Sequence, residues 1–417
     1  MTRTGSVLAH GIGNSQDLPL PFDLVLQVGV VVVVLSFLVA TLRRAPAVAV
    51  WHVPEKWNAF LRAHWWRNIL RVSVFALATY IVGDALLGPV ESNPAAHALF
   101  VWLWVGLVPA SILLGPVWRV LNPLRTVHAA VCRVFRLPVT GVKPGGAGWG
   151  RWPAALALLG FVWFELIAPD RTNPRVVGAW LVGYGVVQIG FAVVRGNAWF
   201  ARGDGFEAYS DLAGRLSILG VDDDARFVVR SPLAGLADIV PERGTAAFVA
   251  VWWGSTIFDS ASGSPWWTGA VQTTGMPVLV NTAGLLIVCL LVAASLRWTA
   301  RDQHFALALV PIAVGYTLAH YASLLIVEGP RGVVLLGHQW GLAESIDPTF
   351  TPNPMAIAIF QVACILIGHL LGVLVTHDRA LRANPGAPPA LVVANELPSV
   401  LLMVGYTWAG LYLLFAA

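Results

Sequence analysis

His320 and His369 each sit inside an apolar run, FALALVPIAVGYTLAHYASLLIVEG and MAIAIFQVACILIGHLLGVLVTHDRAL, and the polar segment between the runs carries GHQWG with a third histidine, His338. Ionisable groups at membrane depth are costly to bury and default to a functional reading. Asp84, Glu165 and Asp259 add carboxylates within or at the rim of three other apolar runs. Imidazole and carboxylate together suit zinc, manganese or iron, and a site with one open position activates water for hydrolysis. The ligand set to expect is His320 with one or more of Asp84, Glu165 and Asp259, completed by His10, Asp17 or His338 from outer loops, with His320, Asp259 and Glu165 as the catalytic groups. The competing reading is that each group only bonds a neighbouring helix, which needs no ion.

The elements that must position these groups follow from composition. The chain has 417 residues, 57% hydrophobic and only 12% charged, whereas about a quarter of residues are charged in soluble domains. This predicts an all-α, polytopic membrane helical bundle, one integral domain over 1–417, multi-pass in the plasma (inner) membrane. A spanning helix needs about 20 mostly apolar residues, and ten segments qualify or nearly so: roughly 22–42, 69–87, 97–114, 152–168, 176–194, 244–258, 278–296, 305–327, 355–375 and 397–415. With the N-terminus outside, the inner segments carry 6, 6, 6, 2 and 2 Lys or Arg, which is 22 of 26. That positive-inside bias places both termini outside. Residues 1–21 are then an extracytoplasmic segment and 195–243 the largest cytoplasmic loop. The basic residues follow the loops and form no basic domain, so the partners to expect are the lipid bilayer and other membrane subunits, with no nucleic acid.

Depth separates the two membrane histidines. His320 lies about 22 Å along a helix starting near Phe305 and His369 about 21 Å from the outer end of a helix running the other way, which leaves about 13 Å between them along the membrane normal. Ligands of one zinc sit about 2.0–2.1 Å from it, so the two do not share an ion. His320 groups with the outer carboxylates. His377-Asp378-Arg379 reads as a helix-end anchor, and His369, beside Gly368 and Gly372, as a group bonded at a close helix contact. In the loops, Trp57, Phe60, Leu61 and Trp65 have the spacing of an interfacial helix. The string VDDDARFVVRSPL predicts a short strand after an acidic turn. KPGGAGWGRW lacks the Lys-Ser/Thr ending of a phosphate loop, and the three cysteines have no metal-type spacing.

Five strings, AHGIG…DLPLP at 9–21, LGPVWRVLNPLRTV at 114–127, GSTIFDS at 254–260, HYASLLIVEG at 320–329 and GHLLGVLVTHDRAL at 368–381, resemble a bacterial membrane-protein family often labelled fenitrothion hydrolase. The resemblance implies hydrolysis of organophosphorus triesters, with this chain as the enzyme or one subunit of it. Metal-polarised phosphoryl oxygen and metal-bound hydroxide would suit that reaction. Two other functions stay open: a secondary transporter with an intramembrane proton or ion relay, and a structural or assembly subunit.

Overall fold

The computed structural model describes residues 18, 20–42, 50–143, 148–222, 224, 226–237, 239–299, 303–342, 345–346, 351–383 and 386–415. His10 and Asp17, expected to complete a metal site, lie outside the described residues. The chain runs through α1 (Phe22–Ala40), β1 (Val50–His52), α2 (Glu55–Arg62), α3 (His64–Leu87), a π-helix over His97–Val105, α4 (Leu107–Leu114), α5 (Trp118–Leu121), α6 (Pro123–Val134), α7 (Trp152–Leu166) and α8 (Pro174–Arg195). There follow α9 (Phe200–Gly203), α10 (Gly205–Gly214), β2 (Leu219–Val221), β3 (Phe227–Arg230), α11 (Pro232–Ala237), α12 (Thr245–Ser262), α13 (Pro265–Thr274) and α14 (Pro277–Thr299). A 3-10 segment over Gln303–Leu309 leads into α15 (Val310–His320), and α16 (Ala322–Gln339), α17 (Pro354–Ala383) and α18 (Pro389–Phe415) come last.

Local chemistry sets several of these boundaries. Asn122-Pro123 and Asn173-Pro174 open α6 and α8: each asparagine side chain accepts from the backbone N–H two residues on, and proline supplies the first helical φ. Gly115 and Gly196, at φ of 84° and 86°, end α4 and α8 in a conformation that a side chain disfavours.

Among the described residues seven helices are long and apolar enough to cross a membrane, or eight if α15 and α16, bent by 59°, form one span. Exposed side chains such as Leu35, Leu38 and Val39 on α1 and Leu290 and Leu291 on α14 are what a lipid-facing surface requires. Two of the ten expected segments fall short of that test: α7 has 15 residues, and α12 combines 18 residues with a polar C-terminal half. The 305–327 span is not one straight helix. It breaks at Tyr321, so His320 is the last residue of α15. The all-helical expectation needs one amendment, a three-stranded antiparallel sheet ordered β1-β3-β2. Its central strand, Phe227–Arg230, is the one the 221–233 string predicted.

Two compact units divide the chain: residues 1–47, 249–334 and 345–417 form the first, and 48–248 with 335–344 the second. In the first, α17 packs against α15, α18 and α1. Contact with α15 is backbone to backbone, because a Cβ on Gly315 would lie 2.4 Å from the Cys364 carbonyl oxygen and one on Gly368 2.7 Å from that of Pro311. Gly368 and Gly372 are a small-xxx-small pair that permits this approach. In the second unit α3 packs on α8, and α10 on α4 and α7. All ten residues of α10 are buried, so the 195–243 segment, expected as a soluble loop, contributes a core helix. Trp104 stacks on Tyr209 of α10 at 4.5 Å between ring centroids.

Candidate functional site

α12 and α15 meet in the first unit through polar side chains. Asp259 Oδ2 accepts from His320 Nε2 at 2.8 Å and from the Tyr321 hydroxyl at 2.8 Å. On the other side of the ring, His320 Nδ1 and Ser260 Oγ are 3.2 Å apart. Ser260 Oγ is also 2.9 Å from the Tyr316 hydroxyl and 3.2 Å from the Thr256 carbonyl. The result is a continuous chain, Tyr321–Asp259–His320–Ser260–Tyr316, and its aspartate and histidine are only 3% and 4% exposed. Rings enclose the imidazole, with Tyr316 parallel to it and Tyr321 edge-on. The helical spacing of Tyr316 and His320 puts both on one face of α15.

This arrangement satisfies His320 in both protonation states. An ionised carboxylate only accepts, so the Nε2 facing Asp259 carries hydrogen. In a neutral ring Nδ1 then accepts from Ser260, while Tyr316 donates to Ser260. In the imidazolium Nδ1 donates to Ser260, whose hydroxyl turns to the Thr256 carbonyl. A proton can therefore arrive or leave without stranding a buried polar group, the situation that is expensive in an apolar interior.

Two further levels of polar groups lie along α17. Gln361 donates to the Ala319 carbonyl, beside His320, at 3.0 Å. His369 bonds the Ile365 carbonyl of its own helix through Nδ1 at 2.9 Å, leaving a buried Nε2 with no hydrogen-bond partner. At the C-terminal end of the helix, His377 Nδ1 lies 3.0 and 3.2 Å from the two carboxylate oxygens of Glu396 on α18. Asp378 and Arg379 are buried there as well. Thus His377-Asp378-Arg379, expected as a helix-end anchor, contributes to the packed interior. Gln361, His369 and His377 are spaced eight residues apart, about 12 Å per step.

Of the expected site residues, the structure brings together His320 and Asp259. Asp84, Glu165 and His338 belong to the second unit. There Gln339 Nε2 donates to Asp84 Oδ2 at 3.0 Å, and the Tyr80 hydroxyl donates to Gln339 Oε1 at 3.0 Å. Glu165 is buried on α7, and His338 is half-buried in the last turn of α16. No group of three or more His, Cys, Asp or Glu that could hold a metal ion occurs among the described residues. With Nε2 donating to Asp259, the lone pair that His320 could offer a metal is on Nδ1, which faces Ser260.

The second unit has a polar network that the sequence reading missed. Asp204, fully buried, caps α10 through Phe206 N–H and accepts from Tyr184 at 2.5 Å and from Asn122 at 2.7 Å. Burial, reinforced by nearby Glu207, raises its carboxyl to about 6 despite these hydrogen bonds. Arg125 forks onto Glu207 at 2.8 and 2.5 Å. Asp211 behaves oppositely: burial pushes its carboxyl up, but Arg151 and Arg215 together hold it below the ordinary value. Asn122 and Arg125 fall within the string LNPLRTV, a visible signal; the acids lie in what read as a solvated loop. Glu396 was hidden differently, one residue before the expected 397–415 segment, although α18 begins at Pro389. No known protein family, curated protein or solved structure matches the chain.

Proposed function

We propose that this chain is a proton-relaying membrane protein, a secondary transporter or permease whose first unit moves protons between two buried histidine–carboxylate pairs. The observation that carries this reading is the ladder on α17: Asp259–His320 beside Gln361, His369 eight residues on, and His377–Glu396 eight beyond that. Its length of about 24 Å approaches the roughly 30 Å of a bilayer's hydrocarbon core. Intramembrane His and Asp or Glu chains are the means by which pumps and transporters carry protons. Each step of about 12 Å exceeds a hydrogen bond, so transfer requires water entry or helix movement between levels. If both termini lie outside, the orientation expected from the loop charges, the His320 pair faces outward and the His377 pair inward.

Proteoliposomes loaded with a pH-reporting dye and given an inside-alkaline gradient test this reading. Wild type should acidify faster than protein-free vesicles, and His320→Gln and Glu396→Gln should each return the flux to the protein-free level. Wild-type flux no greater than that of empty vesicles would overturn it.

A second reading has its own support. Ser260 and Asp259 flank the two nitrogens of His320 as serine and aspartate do in a serine hydrolase triad, but with the nitrogens exchanged, Ser260 at Nδ1 and Asp259 at Nε2; histidine would take the hydroxyl proton and aspartate hold the ring. The resemblance to the fenitrothion hydrolase family points to organophosphorus triesters as substrates. A divalent metal (zinc, manganese or iron) enters this reading only with ligands beyond the described pair, such as His10. Triester turnover by purified protein, with metal content measured on the same sample, tests it; turnover unchanged in Ser260→Ala and His320→Gln would exclude this site.

A further inference from the structure

The second unit encloses a cavity of about 540 Å³ that has no part in the histidine ladder. Five arginines line it: Arg119, Arg125, Arg151, Arg202 and Arg215. Three carboxylates share the wall, Glu207, Asp211 and Glu242. Each acid is engaged: Glu207 by Arg125 and, at 4.0 Å, Arg119; Asp211 by Arg151 at 2.7 Å and Arg215 at 3.4 Å; Glu242 by Arg202 at 2.6 Å. Five guanidinium groups against three carboxylates leave two positive charges in excess.

Donors are in excess too. Arg151 is 9% exposed, and its Nη1 has no hydrogen-bond partner; neither has the buried Nε of Arg215. A buried guanidinium N–H without an acceptor is costly, and an acceptor placed in the cavity relieves it. Guanidinium forks match the tetrahedral oxygens of phosphate in geometry and charge. The volume falls within the range of small-molecule sites, so a phosphate can enter with a group attached.

We propose that this cavity is a binding site for a phosphate group, either inorganic phosphate or the headgroup of an anionic phospholipid. The excess charge of two equals that of a phosphate dianion. Arg119, whose side chain is 59% exposed, and Arg202, at 41%, stand where the cavity meets solvent, whereas Arg151 lies deep. Basic pockets among membrane helices capture lipid headgroups by the same chemistry.

The test uses the full chain in neutral detergent at fixed ionic strength, titrated calorimetrically with sodium phosphate and with a short-chain phosphatidic acid. Short-chain phosphatidylcholine and sodium chloride serve as controls. Saturable binding of phosphate, phosphatidic acid or both is expected, with neither control binding. Phosphate alone identifies a soluble ligand, and phosphatidic acid alone a lipid. Arg119→Gln and Arg202→Gln should each weaken binding by about ten-fold or more, as loss of a charge-assisted hydrogen bond does. Should Arg151→Gln fail to fold, these two exposed positions still decide. No saturable binding of either probe, or binding unchanged in both variants, overturns the proposal.

Discussion

Removing the imidazole of His320 while Asp259 stays would take one of two close donors from a carboxylate in the interior of the first unit. In the folded chain Asp259 Oδ2 has two donors, His320 Nε2 and the Tyr321 hydroxyl, each at 2.8 Å, and both members of the pair are almost wholly buried. Breaking a buried pair from one side costs about 3–5 kcal/mol, because the remaining charge keeps its desolvation penalty and loses its counter-group. His320→Phe should therefore destabilise the chain by about that amount. Asp259→Leu leaves a polar N–H facing an apolar group and should cost about 1–3 kcal/mol. The double variant removes both polar groups and should recover most of these losses, less the bonds that the Tyr321 and Ser260 hydroxyls made to them, since apolar replacement of a whole buried pair is often neutral. The cycle thus predicts a coupling of about 3 kcal/mol or more. Equilibrium unfolding in mixed micelles, followed by the fluorescence of the 19 tryptophans, measures all four species. Additive losses, agreeing to within about 0.5 kcal/mol, would refute the pairing as an energetic unit. A double variant that folds as well as wild type yet moves no protons would show that the pair is kept for function and not for stability.

Other outcomes follow from the same geometry. Gly315→Ala would drive a Cβ to 2.4 Å from the Cys364 carbonyl oxygen, forcing α15 off α17 at a cost of about 1–3 kcal/mol or more. Gly405→Ala, with nothing within 4 Å, should be neutral or stabilising by up to about 1 kcal/mol; equal destabilisation of the two variants would contradict the close helix contact. Glu396→Gln keeps an acceptor for His377 and should change stability by no more than about 1 kcal/mol while abolishing proton flux, as unfolding and vesicle assays on one preparation can establish. Asp204, its carboxyl raised from 3.8 to about 6, holds its proton more tightly folded than unfolded. Its contribution to stability is fully present below about pH 4 and is lost as pH rises through about 6, a change of about 3 kcal/mol. Asp204→Asn should lack that component, so wild-type and variant stabilities that run parallel from pH 4 to 7 would count against it.

Hydrophobicity along the chain was enough to expose the spanning helices, since burial in lipid demands about 20 apolar residues whatever the neighbours are. It also marked His320 and Asp259 as costly residues needing partners. Depth is a property of position along a helix; it separates His320 from His369, and the two bond different groups, Asp259 and the Ile365 carbonyl. Which carboxylate faces His320 depends on rotation about the helix axis, and a helix apolar on every side carries no stripe to reveal its inward face. Asp84, Glu165 and Asp259 were therefore equivalent by sequence, and packing of α12 against α15 selected Asp259.

The same limit hid Ser260 and Glu396. Ser260 bonds Tyr316 and His320 across two helices, a contact between residues 56 and 60 positions apart that no local pattern encodes. Glu396 precedes the apolar 397–415 run and by composition belongs to a loop, but α18 begins at Pro389 and carries it into the helix. In the second unit, polar loop composition concealed a buried helix because Asp204, Glu207 and Asp211 find distant partners at the start of α6, on α8 and just before α7. By itself the sequence determined which stretches must leave water and which ionisable groups would be expensive inside them. Tertiary structure alone decided how those groups are paired, because pairing is set by the rotation and close approach of helices far apart in the chain.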